Sequence, residues 1–220
     1  VYPSVALRRY GSTSRRSDFE HETAIRILLY FCCRVAAAGD IGIEPIACHS
    51  TRHYLRVYLQ THRSAASADR SVKQVGYAAE CRTCGECTAS EAPLTKCREC
   101  GERVQAAGPI WTGRLTDGRI LERAKHFADR MSFTEAAAIL QTLVGVDRYP
   151  PYSYDLERIC SRLKISSVSH QRVSERLSSE GYVSMKQPFE KSGLKTKASY
   201  AETAEIVKET SSSSPQTHQI

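Results

Sequence analysis

Long apolar runs are missing from this chain of 220 residues. The most apolar stretch, Ile27–Ala38, is interrupted by Arg34 and falls well short of the ~20 residues that a membrane-spanning helix needs. No membrane partner is expected, and no signal-peptide pattern is visible. Lysine is absent from the first 63 residues, which hold nine Arg and five acids, so the charge of that segment is carried by guanidinium groups. A glycine-rich cofactor loop is also lacking. The nearest candidate, Gly39-Asp40-Ile41-Gly42, follows a helical pattern, whereas a dinucleotide-type loop follows a strand. A secreted disulfide framework is disfavoured as well. The nine cysteines are an odd number, and Cys32, Cys33, Cys48 and Cys160 sit in apolar or helical contexts. That usage fits a reducing cytoplasm.

What is present can fold. Apolar residues make up 41% of the chain, and its length allows one large or two or three small domains. The formal net charge is +7, unevenly spread. Residues 1–63 and 160–200 are basic, residues 64–159 carry thirteen charges of each sign, and the last twenty residues are mildly acidic. Two basic ends around a neutral middle suggest a polyanion touched at two places, most simply a nucleic acid, although solvated surface faces would give the same sums.

The neutral middle holds the sharpest motif. Cys81/Cys84/Gly85 and Cys97/Cys100/Gly101 form two Cys-x-x-Cys-Gly knuckles separated by twelve residues. Each knuckle turns two sulfurs toward one point, and glycine after the second cysteine allows a positive φ that aims backbone N–H groups at the thiolates. The spacing predicts a zinc site. Four thiolates close a tetrahedral shell and leave no position for water, so the expected Zn2+ is structural. A pair of disulfides or four unrelated thiols is the competing reading. Cys87 is a fifth candidate, expected to be a spare thiol. Close behind comes Gly108-Pro109-Ile110-Trp111-Thr112-Gly113, with the single Trp.

The rest of the chain supplies the frame. Arg8, Arg9, Arg15 and Arg16 surround Tyr10-Gly11-Ser12 in what reads as a loop. Ala24, Ile25, Leu28, Leu29, Cys32 and Val35 give His21–Ala38 a helical apolar face. Residues 42–50 and 54–61 read as strands, the second alternating Leu55, Val57 and Leu59 with Arg56, Tyr58 and Gln60. His62–Gln74 is small and polar, a linker or hairpin tip. Strands are expected at 75–80 and 104–112. Two helices are expected between Ile120 and Val144, the second capped by Ser132 with Glu135. Helices over 155–164 and 168–179, then a strand and the lysine-bearing stretch Phe189–Ala198, follow a winged-helix pattern. A small helical bundle would show similar periodicities. Residues 201–220 read as a largely disordered tail.

Several of these stretches together resemble one family, the archaeal-type tRNA guanine-26 N2-dimethyltransferases. They are Arg9-Tyr10-Gly11-Ser12, His21-Glu22 with Ile25-Arg26-Ile27-Leu28, Ile43-Glu44-Pro45, His53-Tyr54-Leu55-Arg56-Val57, the knuckles with Ala107 to Gly113, Pro151-Tyr152-Ser153-Tyr154, and Gly181-Tyr182 through Gly193-Leu194-Lys195-Thr196. They run in family order over residues 5–200. Three positions depart: Arg52 stands where the family usually has Asp, Gln187-Pro188 where Thr-His is expected, and Lys197 where an Asp follows Lys195-Thr196.

The resemblance implies a fold of α/β plus α+β class. Residues 1–63 would be the C-terminal part of a class I (Rossmann-like) methyltransferase domain, 64–76 a linker, 77–116 a zinc-ribbon-like segment, and 117–200 a helical, winged-helix-like tRNA-binding domain. The cofactor S-adenosylmethionine and the family's Asp-Pro-Phe-Gly catalytic segment would then belong to sequence before Val1 or to a separate N-terminal half. No catalytic or cofactor-binding residue is expected in the chain itself. Methyl transfer to an exocyclic guanine amine needs an aligned donor, a group that orients and deprotonates the amine, and access to the base. The chain's expected share is RNA grip. Arg8, Arg9, Arg15, Arg16 and Arg56 at one end and Lys186, Lys191, Lys195 and Lys197 at the other are the candidates for holding tRNA phosphates. His21-Glu22 and His53-Tyr54 are candidates for lining the pocket beside the target base, or alternatively a helix start and a strand start. The reading from a different class is a non-enzymatic zinc-ribbon and winged-helix protein that recognises duplex DNA through residues 168–179.

Overall fold

The computed structural model describes residues 2–15, 17, 19–51 and 54–212. Arg16, Arg52 and His53 lie outside the described residues, as does 213–220.

The first basic segment begins as a helix, and only its part from Gly11 to Arg15 is the expected loop. Helix α1 (Pro3–Tyr10) begins with proline in its first turn and ends where Gly11 turns left-handed at φ 67°. Arg8 and Arg9 occupy its last turn, where cations suit the helix dipole. Helix α2 (Glu20–Ala37) follows. Its residues Ile25, Leu29 and Cys33, each one turn apart, are fully buried. It packs on a long antiparallel hairpin, β1 (Ile41–Thr51) and β2 (Tyr54–Arg63), whose register shifts between Pro45 and Ala47. The alternation expected of β2 holds: Leu55, Val57 and Leu59 turn inward while Tyr54, Arg56 and Tyr58 are exposed.

Residues 64–76 are not a linker. Ser64 caps helix α3 (Ala65–Val72), accepting from the Ser67 N–H at 3.1 Å. The Ser71 hydroxyl accepts from Ile43 N–H at 2.9 Å and donates to Ile43 carbonyl at 3.0 Å, pinning the helix to β1. The approach is close enough that a Cβ on Gly42 would sit 2.5 Å from the Ser67 backbone. Small polar residues serve contact here, which their polarity disguises.

Strands β3 (Val75–Glu80), β4 (Cys87–Ser90) and β5 (Ala106–Trp111) form an antiparallel sheet in the order β4-β3-β5. Helices α4 (Gly118–Arg130) and α5 (Thr134–Leu143) follow, with Asp117 capping the first through the Ile120 N–H. The cap expected at Ser132 does not form. Ser132 adopts φ 56°, Phe133 takes the cap position, and no side chain caps α5. Trp111, Leu115, Leu121 and Leu143 join α2 and the hairpin in one core.

The C-terminal unit is β6 (Tyr154–Asp155), α6 (Leu156–Leu163), α7 (His170–Ser179), β7 (Ser184–Lys186), β8 (Gly193–Thr196) and α8 (Tyr200–Ser212). Its sheet runs β6-β8-β7. Asp155 and Ser169 cap α6 and α7. Residues 201–212 of the tail expected to be largely disordered lie in α8, where Thr203, Ile206, Val207 and Thr210 bury one stripe at helical spacing; 213–220 fall outside the described residues. Ser199 and Glu202 make a reciprocal capping box at its start, with Ser199 N–H to Glu202 at 2.7 Å and Glu202 N–H to Ser199 Oγ at 3.3 Å. Among the described residues, no helix is long and apolar enough to cross a membrane.

Candidate metal centre and nucleic-acid interface

The two knuckles meet. The Sγ atoms of Cys81, Cys84, Cys97 and Cys100 all lie within 4.8 Å of one another. Cys81 and Cys100 are 3.5 Å apart, and Cys84 and Cys97 3.6 Å. Four sulfurs at ~2.3 Å from a tetrahedral zinc would be ~3.8 Å apart, so the cluster fits that ion with little adjustment. Both knuckles repeat one backbone device. Cys81 N–H donates to Glu86 carbonyl at 2.8 Å, and Cys97 N–H to Glu102 carbonyl at 2.7 Å. Gly85 and Gly101 sit at φ 85° and 75°, conformations that any Cβ would strain. Burial raises the Cys81 thiol, but the N–H groups of Cys84 and Thr83 and the Cys84 and Cys100 side chains bring it down to about 7. Cys87 opens β4 outside the cluster, and burial pushes its thiol up.

The first knuckle is pressed against the C-terminal unit. A Cβ on Gly85 would collide with the Tyr200 ring and the Arg162 guanidinium. Glu86 accepts from the Tyr200 N–H at 3.2 Å, and Arg162 reaches Glu80 at 3.6 Å and lies over the Tyr200 ring. The first cysteine turn is therefore also a docking surface for α6 and α8.

A second joint lies beneath. Glu22 is fully buried at the start of α2. Its carboxylate accepts from the Arg26 guanidinium at 2.7 and 3.0 Å, from the Tyr152 N–H at 2.8 Å, and from the Gln187 amide. Lys195 Nζ stands 3.3 Å away. The two cations have further acceptors: Arg26 donates to the Trp111 and Gly113 carbonyls at 3.0 and 3.1 Å, and Lys195 to those of Tyr152 and Pro150 at 2.7 and 3.2 Å. Burial alone would raise the Glu22 carboxyl; Lys195 and Arg26 overcome it and hold the group at about 2. Lys195 has one anion and a cationic neighbour, so burial pulls its ammonium below the usual range although Glu22 opposes the fall.

This arrangement corrects one RNA-binding expectation. Lys195 is 1% exposed and tied to the interior, so it holds no phosphate at the surface. Glu22 is likewise sealed from any base, and Gln187, which stands in place of the expected Thr-His pair, is part of the joint. His21 is the exposed member of its pair and meets Glu190 at 3.0 Å. The other candidates lie at the surface: Arg8, Arg9 and Arg15 near the amino end, and Lys186, Lys191 and Lys197 on and beside the β7–β8 hairpin. Arg56 projects from β2 with its guanidinium 4.9 Å from the Tyr54 ring centre and 3.4 Å from the Tyr58 hydroxyl. Arg16 and His53, also candidates, lie outside the described residues. Arg82 and Arg103 are further exposed arginines on the ribbon, whose signal in the sequence is a cation beside each cysteine turn.

Known proteins resemble this chain in sequence and fold. A family model described as N2,N2-dimethylguanosine tRNA methyltransferase matches residues 1–208. The chain belongs to that family. A tRNA (guanine(26)-N(2))-dimethyltransferase from Methanopyrus kandleri is 34% identical over 210 residues, covering 94% of this chain and 55% of the relative. One from Methanobrevibacter smithii is 30% identical over 97% of this chain and 57% of its own length. The structure of Trm1 from Pyrococcus horikoshii in complex with S-adenosyl-L-methionine superposes with a TM-score of 0.81 at 27% identity, over 93% of this chain and 54% of that one. The chain spans about half the length of the curated relatives it matches.

Proposed function

We propose that this chain is the RNA-gripping portion of an S-adenosylmethionine-dependent tRNA (guanine-26-N2)-dimethyltransferase. The observation that carries the reading is the family match over residues 1–208, joined to a solved relative of the same fold that binds S-adenosylmethionine. The residues described here add a physical reason. Exposed Arg8, Arg9, Arg15 and Arg56 belong to the amino-terminal unit, and exposed Lys186, Lys191 and Lys197 to the carboxy-terminal one. Phosphate contacts from two such patches suit a folded RNA read by shape. The β6-β8-β7 sheet with α6 and α7 supports a winged-helix-like reading of the second unit.

Zinc held by Cys81, Cys84, Cys97 and Cys100 has a structural role in this proposal. It closes the ribbon, and the ribbon's first turn then holds α6 and α8 in place. These 220 residues show no glycine-rich loop placed after a strand, so the proposal assigns S-adenosylmethionine contacts and the methyl-transfer step to sequence outside them.

Two binding measurements test this. A tRNA transcript and a duplex DNA of equal length, titrated at matched salt, should show clear preference for tRNA. Preference for the DNA would favour the non-enzymatic winged-helix reading. Calorimetry with S-adenosylmethionine should show no tight site on the 220-residue chain, and a tight site would overturn the division of labour.

A further inference from the structure

A cleft of about 660 Å³ opens between the amino-terminal segment and the ribbon. One wall is Pro3, Arg15, Ser17 and Phe19; the other is Ala78, Glu80 and Arg82 from the first arm of the ribbon, with Thr95 and Arg103 from the second. The walls are held in register by paired backbone bonds, Thr13 N–H to Gly108 carbonyl at 2.9 Å and Gly108 N–H to Thr13 carbonyl at 2.8 Å. Arg15, Arg82 and Arg103 come from three separate segments, are exposed, and form no ion pair with any described residue. Among the described lining residues the carboxylate is Glu80, engaged by Arg162 at 3.6 Å. The Ser17 hydroxyl is buried there without a hydrogen-bond partner among the described residues. Three guanidinium groups, none of them ion-paired to a described residue, line one space.

We infer that this cleft clamps the phosphodiester backbone of the bound RNA, with Arg82 and Arg103 of the ribbon acting opposite Arg15. The inference rests on the proposed tRNA-binding role and assigns the ribbon a direct part in it, beyond stapling. Planar guanidinium groups suit phosphate oxygens bidentately, and a cleft with an excess of positive charge concentrates its field on an anion. The space is far larger than an inorganic anion, which favours a stretch of backbone. A competing role for Arg82 and Arg103 is to balance the charge of a zinc tetrathiolate.

The experiment is the salt dependence of tRNA binding by the whole chain, compared with the Arg82→Ala/Arg103→Ala double variant. Each lost phosphate contact lowers the slope of log K against log salt by about 0.7 to 0.9, so the double variant should lose about 1.4 to 1.8. Zinc content and Trp111 emission should match the parent. The control is Arg98→Ala, which removes the corresponding arginine of the second knuckle, outside the cleft lining, and should leave the slope unchanged. If the double variant proves unstable, Arg82→Gln/Arg103→Gln keeps the bulk and gives the same reading. Parent binding with an unchanged slope in the double variant overturns the inference while leaving the tRNA-binding role intact. So does an equal loss in Arg98→Ala, or a loss that tracks zinc content alone. No tRNA binding by the parent overturns both.

Discussion

Two polar centres hold this molecule together, and they differ in how far along the chain they reach. The cysteine cluster draws its four sulfurs from residues 81 to 100. The Glu22 joint draws on Glu22, Arg26, Tyr152, Gln187 and Lys195, with a separation of 165 residues between Glu22 and Gln187. Both fasten the carboxy-terminal unit to the rest, the cluster through Gly85 and Glu86 against Tyr200, the joint through Lys195 and Gln187 against α2. A short-range centre can be nearly complete in sequence. A long-range one exists only after the fold has formed, and its members look like ordinary surface charges until then.

The largest effect should come from the cysteines. Cys97→Ser leaves three thiolates and should remove on the order of 5 kcal/mol or more from the ribbon, since structural zinc supplies much of the folding energy of such small units. Hydrogen exchange of the amides over 81–103 would report it, and unchanged protection after complete chelation would count against a metal staple. Breaking the second centre by Glu22→Gln leaves Arg26 and Lys195 buried without their carboxylate, which should cost about 3–5 kcal/mol. Emission of buried Trp111, whose carbonyl accepts from Arg26, is a suitable probe of that unfolding. If the variant is as stable as the parent, the joint is dispensable.

Acid acts on the same joint more gently. The Glu22 carboxyl is held near 2 when folded, below its ordinary 4.5. Its stabilisation is therefore complete above about pH 4.5 and drains away as pH falls toward 2, a loss on the order of 3 kcal/mol. Denaturant titrations at descending pH should follow that window in the parent and flatten in Glu22→Gln. The smallest contrast lies in the helix caps. Ser199→Ala should cost ~1 kcal/mol by opening the box at α8, while Ser132→Ala should change stability by less than about 0.5 kcal/mol, because Ser132 caps nothing.

Those two serines show what was legible. Ser132 and Glu135 and Ser199 and Glu202 both read Ser-x-x-Glu, and only the second pair caps. In the first, the α4–α5 turn needs a left-handed residue, and Ser132 takes that role. The α2 stripe, the β2 alternation and the knuckles were legible because each follows a local period or spacing. Helix α3 was hidden because its contacts with β1 use serine and glycine, residues that also make loops. Lys195 was misjudged because all four residues of β8 are buried, leaving no alternation to reveal an inward lysine. Arg82 and Arg103 could be seen, but their facing Arg15 across a cleft is a property of the fold.

On the proposed function, a zinc-closed ribbon holds two basic units in one RNA-binding surface. That claim is tested most directly by measuring tRNA affinity of the intact chain at fixed salt, first with zinc at one equivalent, then after chelation, then after zinc is restored. The account predicts a large loss on chelation and recovery on restoration, with tRNA preferred to duplex DNA whenever zinc is present. Equal tRNA affinity with and without the metal would contradict it.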